Sequence, residues 1–223
     1  MYDELKITAL YREGDRSVAY PYLARYTYPW EVLPDIPTII EEIAASLSQD
    51  EYEERPGGVF IARSAKIAPT AFIGGPCIIC AEAEVRHCAF IRGAAIVGRG
   101  AVVGNSVELK NCILFDGVQV PHFNYVGDSI LGYRSHMGAG AVTSNVKSDK
   151  TPVAVVTPAG RVDSGRKKFG AMLGDYVEVG CNSVLNPGTV IGPHSNIYPT
   201  SSVRGYVPEN SIFKAPDNIV RKH

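Results

Sequence analysis

Large apolar residues recur at every sixth position through the middle of the chain. From Ile61 to Val126 the sequence divides into hexads without a gap, and ten of the eleven first positions carry a large apolar residue. The fifth position of these hexads is mostly small, as at Ala65, Ala71 and Ala83. The phase slips once after Val126 and then resumes, interrupted by one insertion, so that 20 hexads are found in all.

A period of six fits neither an α-helix nor an alternating hairpin strand. It is typical of a prism-shaped β-solenoid, in which each hexad forms one short strand and one corner and three hexads close a triangular coil. The large first residue then fills the interior, and the small fifth residue allows tight packing at the corner. The predicted fold class is therefore all-β, with roughly seven coils and a height of roughly 33 Å at about 4.8 Å per stacked strand.

The limits of the hexads define the expected domain organisation. We expect an N-terminal extended and helical appendage at residues 1–58, followed by a β-helix at 59–208. A long basic loop at 146–170 interrupts the β-helix, and residues 209–223 form a C-terminal cap. Within the appendage a helix is predicted from about Thr38 to Leu47, because Thr38 and Glu41 have the spacing of an N-terminal capping box.

Composition and charge exclude several classes of protein. The 223 residues are 45% apolar, which is enough for a packed core in one domain with an appendage. The net charge of -1 provides no general attraction for nucleic acid or anionic lipid. No apolar run is long enough to span a bilayer, the acidic N-terminus does not indicate a signal peptide, and the five cysteines suggest reduced thiols. We therefore expect a cytoplasmic protein with neither nucleic acid nor membrane as a partner.

Six motifs occur in the order known from one enzyme family: FIRGAAIVG, VGNSVELKN, PHFNYVGDSILG, MGAGAVTSN, KKFGAMLGD and VEVGCNSVLNPGTVIG. Over about residues 85–215 the chain resembles the acetyltransferase domain of the bifunctional N-acetylglucosamine-1-phosphate uridyltransferase/glucosamine-1-phosphate acetyltransferase. It is also similar to short UDP-N-acetylglucosamine pyrophosphorylase-related proteins. The resemblance implies a left-handed coil, acetyl-CoA as co-substrate and a homotrimer with active sites between neighbouring prisms. No Gly-rich nucleotide-binding start is found, so the uridyltransferase domain is expected to be absent.

A histidine is the first candidate for chemistry. Acetyl transfer to a sugar amine needs a base that removes a proton as the nitrogen attacks the thioester, and an imidazole that titrates near neutral pH suits this task. The resemblance assigns the base to His122, within PHFNYVGD. Spacing alone favours a satisfied surface or corner histidine, and the surrounding motif PHFNYVGD is what favours the base.

Two cations are candidates for binding the acceptor. Arg92 and Lys110 lie eighteen residues apart, which is three hexads and predicts that they stack on one face in successive coils. Such a pair suits the phosphate of a sugar phosphate. The resemblance assigns both to this role, together with Tyr125 and Asn145. His136 is also placed with the acceptor-binding residues; it stands where the family has an asparagine, and it could reshape the pocket, favour another acceptor or take no part.

The resemblance also implies a coenzyme A site. Ala139 matches a position whose backbone N–H contacts the acetyl group, an oxyanion-type role. Lys168 and Lys214 match cations that meet the coenzyme, although the family has an arginine at the second position. Cys181 and Pro199 match small residues along the pantetheine arm. Pro199 departs from the family's alanine because it is bulkier and has no N–H.

Three functions are open from the sequence. The leading hypothesis is an acyl-CoA-dependent N-acetyltransferase acting on an amino-sugar phosphate or a nucleotide sugar. A non-catalytic trimeric module that binds a sugar phosphate or nucleotide sugar is favoured by His136, Pro199 and the long basic insertion. A zinc protein similar to γ-class carbonic anhydrases is the third, but the hexad phases of His87, His122 and His136 differ and the lone CxxC has no second pair. No metal site is therefore predicted.

Overall fold

The computed structural model describes residues 2–222, which wind into a solenoid of short parallel strands. The predicted fold class, a left-handed parallel β-helix with a short N-terminal helical appendage, is confirmed. Three faces form the prism, and the large first-position residues of the hexads fill its interior, as Ile79, Val85 and Ile91 do. None of the helices in residues 2–222 combines the length and the apolar character needed to cross a membrane.

The strands of each face stack in chain order. The first face contains Val59–Ala62, Cys77–Ile79, Ala95–Val97, the second halves of Glu108–Leu114 and Tyr125–Leu131, Ala171–Leu173, Thr189–Ile191 and Tyr206–Val207. The second face contains Lys66–Ile67, Glu84–Val85, Val102–Asn105, Gln119–His122, His136–Met137, Glu178–Val179, Asn196–Ile197 and Ser211–Ala215. The third face contains Phe72–Ile73, Phe90–Ile91, the first halves of Glu108–Leu114 and Tyr125–Leu131, Val142–Thr143, Val184–Leu185 and Ser202–Val203.

The hexad register differs from the predicted one after Leu109. Leu114 pairs with Val97 and with Leu131, so Leu114 occupies the interior position that the sequence pattern gave to Phe115. Phe115 is also buried, but its ring packs against Tyr11 of the appendage, with ring centres 5.0 Å apart. Because both side chains are apolar, the sequence pattern could not distinguish a residue inside the prism from one covered by the appendage.

The shift arises where two long strands turn the corner between the third and first faces. Asn111 and Asp128 have φ values near +49° at that corner, a left-handed conformation that these two residue types tolerate. Each coil there is one residue shorter than three hexads. With the additional strands recognised, the solenoid has about eight coils rather than seven, and at about 4.8 Å per strand it is roughly 38 Å tall.

Both ends of the solenoid are covered by antiparallel strands. Tyr52–Arg55 pairs with Val59–Ala62 at one end, and its charged residues disfavour further pairing at the exposed edge. At the other end Asn218–Arg221 pairs with Ser211–Ala215. The coil therefore extends to Ala215, beyond the boundary expected at residue 208, and only the last strand is a cap.

The appendage consists of short helices that cover the first face. The α-helices are Ile7–Leu10, Tyr20–Leu23 and Ile36–Ala44, and the 3-10 helices are Asp3–Leu5, Gly14–Arg16 and Pro29–Glu31. The predicted helix begins at Ile36 rather than at Thr38, with Asp35 as the N-cap residue. Pro37 belongs to its first turn, where the fixed φ of proline is favourable. This helix buries its isoleucines against strands of the first face.

The insertion at 146–170 is not the irregular loop that the sequence predicted. Val153–Thr157 and Gly160–Arg166 form an antiparallel hairpin. It lies close to the last coils, since a Cβ at Gly205 would stand 2.5 Å from the carbonyl oxygen of Val156. Arg166 Nη2 donates to the carbonyl of Glu31 at 3.3 Å, which ties the hairpin to the appendage.

Candidate functional site

The turns that follow the strands of the second face form one edge of the prism, called here the His122 corner. It carries four of the predicted site residues in successive coils: His122, Ala139, Cys181 and Pro199. Backbone hydrogen bonds set this stacking. The amide of Gly140 donates to the carbonyl of His122 at 3.0 Å, and that of Thr200 donates to Cys181 at 2.8 Å. The structure therefore brings the predicted base into line with three predicted coenzyme residues.

His122 ends a strand of the second face and is exposed. Within residues 2–222 its ring has no hydrogen-bond partner, so the imidazole is free to accept a proton. The turn is held by Asn124, a buried residue that the sequence analysis missed. Asn124 Oδ1 accepts from the amide of His122 at 3.1 Å, and its Nδ2 donates to the carbonyls of Gly138 and Ala141 at 2.8 and 3.0 Å.

The amide N–H of Ala139 is available for a ligand. Its carbonyl accepts from the amide of Asn182 at 2.8 Å, whereas its N–H has no acceptor within residues 2–222. The neighbouring Gly138 lets the next coil approach closely, because a Cβ there would lie 2.7 Å from the amide nitrogen of Cys181. A backbone N–H without a protein acceptor is the donor that an oxyanion needs.

A groove of about 340 Å³ runs along the second face beside this corner. Its walls include Cys181, Tyr198 and Pro199. Gly180 also lines it, and this glycine lets the two coils approach closely, because a Cβ there would lie 2.4 Å from the backbone nitrogen of Pro199. Lys214 lies at the far end, with Nζ 5.7 Å from the centre of the Tyr198 ring. The groove thus joins the free N–H near His122 to a cation at the last coil.

Lys168 is the predicted coenzyme residue that this groove does not include. It is exposed at the base of the hairpin, where it bridges to Val146. That position lies at the corner between the third and first faces, across the third face from the His122 corner. Within one chain, therefore, Lys168 is separated from Cys181 and Pro199.

Arg92 and Lys110 are neighbours on the third face, as their spacing predicted, because Ile91 pairs with Leu109. Each already has a carboxylate partner. Arg92 Nη1 donates to Glu108 Oε1 at 2.8 Å, and this hydrogen bond raises the pKa of the guanidinium above its ordinary value. Lys110 Nζ lies 3.6 Å from Oδ2 of Asp128.

Tyr125 and Asn145 complete this group, called here the acceptor cluster: Arg92, Glu108, Lys110, Tyr125, Asp128 and Asn145. Asn145 Nδ2 donates to the Tyr125 hydroxyl at 3.2 Å and also to Asp128 Oδ2. The Tyr125 hydroxyl lies across the third face, 2.4 Å from where a Cβ of Gly127 would be. Burial, and then the carboxylates of Asp128 and Glu108, raise the pKa of Tyr125, so the hydroxyl keeps its proton at neutral pH.

The sequence analysis missed the two carboxylates of the acceptor cluster. Glu108 precedes Lys110 by two residues on one strand, so both side chains point to the same side of the third face. Asp128 lies in the motif that contains His122, but a lone acidic residue after a glycine gave no indication of burial. Its role depends on Asn111 and Asn145, which are distant in sequence and adjacent at the corner.

His136 lies apart from the acceptor cluster, to which it was predicted to belong. It is on the second face, paired with Gln119 and Glu178, and its Nδ1 is 2.8 Å from Glu178 Oε2. It lines the groove that contains Cys181. The structure therefore places His136 on the coenzyme side of the His122 corner.

The histidines do not gather at a metal site. Within residues 2–222 no three side chains of His, Cys, Asp or Glu are grouped so as to hold a metal ion. His87 is instead 2.9 Å from the Thr70 hydroxyl through Nδ1.

The GMPPB C-terminal domain family matches residues 73–207, which is more than half of the chain and includes most of the coils described above. The chain belongs to the GMPPB C-terminal domain family. The YaiX protein of Escherichia coli, described as an uncharacterized acetyltransferase, is 30% identical over 70% of this chain and 68% of its own length.

Longer relatives of this family member are bifunctional. The bifunctional sugar-1-phosphate nucleotidylyltransferase/acetyltransferase of Sulfurisphaera tokodaii is 31% identical over 83% of this chain and 47% of its own length. The bifunctional protein GlmU of Methanococcus maripaludis is 31% identical over 87% of this chain and 48% of its own length. The chain thus spans about half the length of these two relatives. The acetyltransferase domain of PglB from Neisseria gonorrhoeae has been solved with acetyl coenzyme A. Its alignment with this chain covers 82% of this chain and 63% of the PglB chain, at 17% identity and a TM-score of 0.34.

Proposed function

We propose that this chain is an acetyl-CoA-dependent N-acetyltransferase whose acceptor is an amino-sugar phosphate or a nucleotide sugar. One observation carries the proposal. Within residues 2–222 the His122 ring has no hydrogen-bond partner, and it lies one coil from the free N–H of Ala139. It also stands at one edge of the third face, which carries Tyr125 and the cations Arg92 and Lys110. The name of the Sulfurisphaera tokodaii relative, which includes both a sugar-1-phosphate and an acetyltransferase, supports the same reaction.

The reaction follows from this arrangement. His122 removes a proton from the acceptor's amine as the nitrogen attacks the thioester carbon. The carbonyl oxygen becomes an oxyanion, which the N–H of Ala139 stabilises by donating a hydrogen bond. Collapse of the intermediate breaks the C–S bond, and the imidazolium returns the proton to the leaving sulfur. The products are the N-acetyl sugar and free coenzyme A.

Acetyl-CoA would lie in the groove on the second face. The narrow pantetheine arm suits a wall that includes Gly138 and Gly180, which carry no side chains. Lys214 at the far end offers a cation for the coenzyme's phosphates. The thioester would then meet Ala139 and His122. In this arrangement His136 and Glu178 form a wall of the coenzyme groove, and they would influence the acceptor only from that side.

We further propose a homotrimer in which Lys168 serves the groove of a neighbouring copy. Within one chain Lys168 lies across the third face from that groove. The third face also exposes apolar side chains, with Phe72 and Phe90 exposed by 58% and 43% and their rings 5.5 Å apart. Burial of such a stripe between copies would favour association.

The first test is thiol release from acetyl-CoA with glucosamine-1-phosphate. We expect His122→Ala to lower kcat by about 10²- to 10⁴-fold, because a positioned general base contributes that much. His87→Ala is the matched control, since His87 lies at the same corner two coils away, and it should retain wild-type activity. Wild-type turnover that survives in His122→Ala would contradict the assignment of the base.

A non-catalytic binding module is the second candidate, and Pro199 favours it. A proline at this corner has no N–H to offer the pantetheine arm, so the groove has one donor fewer than an alanine would provide. Titration calorimetry with acetyl-CoA separates the two functions. An acetyltransferase must bind it saturably, whereas a module that binds only the sugar phosphate shows no heat above dilution.

A further inference from the structure

Asp128 is a buried carboxylate at the centre of the acceptor cluster. It is 4% exposed and lies at the corner between the third and first faces. Its Oδ1 accepts from Asn111 Nδ2 at 2.9 Å, its Oδ2 accepts from Asn145 Nδ2, and Lys110 Nζ is 3.6 Å away. A carboxylate that is buried this deeply is stable only if neighbouring groups donate hydrogen bonds to it.

The carboxylate determines which way the amide of Asn145 points. An ionised carboxylate only accepts hydrogen bonds, so the NH₂ group of Asn145 and not its oxygen must face Asp128. The second proton of that NH₂ group is donated to the Tyr125 oxygen at 3.2 Å. Both amide protons are therefore used inside the cluster.

The same hydrogen bonds decide what the cluster offers to a ligand. Because the Tyr125 oxygen accepts from Asn145, its own proton is left for another partner. Within residues 2–222 neither the Tyr125 proton nor Asn145 Oδ1 has one. The cluster thus presents one donor at Tyr125 and one acceptor at Asn145, beside the ammonium of Lys110, which Asp128 also holds.

We propose that Asp128 is a positioning residue that sets the hydrogen-bond polarity of the acceptor site. Through Asn145 it makes Tyr125 a donor to a phosphate oxygen and makes Asn145 Oδ1 an acceptor for a sugar hydroxyl. This proposal rests on the proposed function for the identity of the ligand. Asp128 itself, buried beneath these groups, does not touch the reacting atoms.

This role is tested by reversing the direction of the hydrogen bond between positions 128 and 145 without losing that bond. In the double variant Asp128→Asn/Asn145→Asp the amide at position 128 donates to a carboxylate at position 145. That carboxylate then accepts from the Tyr125 hydroxyl, which turns the tyrosine proton inward. We expect the double variant to recover the thermal stability that Asp128→Asn alone loses, while its affinity for glucosamine-1-phosphate stays at least about tenfold below wild type.

Removing the Tyr125 hydroxyl in the wild type and in the reversed double variant separates an effect of hydrogen-bond polarity from a purely structural effect. Tyr125→Phe should weaken binding of glucosamine-1-phosphate about tenfold in the wild type, because a donor to the phosphate is lost. In the reversed double variant the same change should alter the Kd by less than about twofold. Asp116→Asn is the matched control, since Asp116 is a half-buried carboxylate at another corner whose Oδ1 accepts from the amide of Arg99 at 2.8 Å. Its affinity for the sugar phosphate should equal that of the wild type.

Calorimetry without acetyl-CoA keeps this test separate from that of the proposed function. Equal losses from Tyr125→Phe in both backgrounds, or wild-type affinity in the reversed variant, would overturn the role of Asp128 even in an active acetyltransferase. A wild-type protein that binds glucosamine-1-phosphate with the expected pattern but transfers no acetyl group would refute the enzyme and leave the positioning role supported. A wild-type protein that neither binds nor transfers would overturn both.

Discussion

At the scale of single residues, position on the coil decides what a side chain can do. Residues at the His122 corner leave backbone groups free, since the turn bonds only one side of each peptide to the next coil. A ligand lying along that corner therefore meets the free N–H of Ala139. The residue at each step decides whether an N–H is offered: the N–H of His122 is taken by Asn124, and Pro199 has none.

Replacement of Pro199 by alanine should strengthen coenzyme binding. Pro199→Ala supplies an N–H and removes the ring from the groove wall, so we expect the KM for acetyl-CoA to fall by about three- to tenfold with little change in kcat. Steady-state kinetics at saturating acceptor measure this. Pro69→Ala is the control, because Pro69 occupies the same corner near the opposite end of the solenoid. An equal fall in both variants, or in neither, would argue against coenzyme contact at Pro199.

At the scale of elements, a buried carboxylate helps to attach the appendage to the coils. Asp175 is 1% exposed, and its two oxygens accept from the amides of Glu13 and Tyr133, each at 2.9 Å. Its own amide donates to the carbonyl of Leu10 at 3.1 Å. The appendage, which has little regular structure of its own, thus depends on the solenoid for the satisfaction of its backbone.

Loss of this carboxylate should destabilise the fold. Asp175→Ala leaves two amides without an acceptor where water has little access, and we expect the free energy of unfolding to fall by about 3 kcal/mol. Urea denaturation followed by circular dichroism measures the change. In Asp163→Ala, which removes an exposed ion pair with Arg161 on the hairpin, the change should be less than about 0.5 kcal/mol. Similar values for the two variants would show that Asp175 does not attach the appendage.

At the scale of the whole molecule, the first face is covered and the other two are open. The appendage and the hairpin bury the first face, while the third face exposes Phe72, Phe90 and Val184. The coenzyme groove and the acceptor cluster adjoin this open face from its two edges. Association through the third face would bring one copy's Lys168 toward another copy's groove, which is the physical case for a trimer.

A charge on the third face should separate the copies. Phe90→Asp places a carboxylate in the apolar stripe, and we expect light scattering after size exclusion to shift from trimer to monomer, with a loss of activity. Ile219→Asp is the control, because Ile219 is an apolar residue of similar exposure, 39%, on the C-terminal cap. A wild-type protein that is already monomeric would refute the trimer directly.

Subunit complementation tests whether Lys168 acts across the interface. Trimers mixed from His122→Ala and Lys168→Ala chains contain some sites with an intact histidine from one copy and an intact lysine from the next. If each site draws on two copies, an equal mixture should recover about a quarter of the wild-type activity. If Lys168 serves its own chain, the mixture should show only the average of the two variants.

The architecture could be predicted from the sequence because it depends on a local repeat. A large residue every six positions requires a strand and a corner each time, so the coil, its three faces and the stacking of Arg92 on Lys110 follow from counting. The count failed at Leu114 and Val120, whose interior positions it gave to Phe115 and Pro121, and it was correct again at Leu131. The cause is a corner one residue shorter, which Asn111 and Asp128 make possible in left-handed conformations. Both residues are polar and small enough for many other roles, so nothing in the pattern marked them.

The sequence by itself determined the fold class, the stacking of Arg92 on Lys110 and the reaction class that the family motifs imply. Only the tertiary structure decided that His122 aligns with Ala139, Cys181 and Pro199, that the insertion is a hairpin, that His136 faces the groove and that Asp128 organises the acceptor cluster. The physical reason is the range of the interactions. The repeat depends on residues close together in the sequence, whereas the buried carboxylate, its two amide donors and the nearby lysine lie on different coils and meet only in the folded chain.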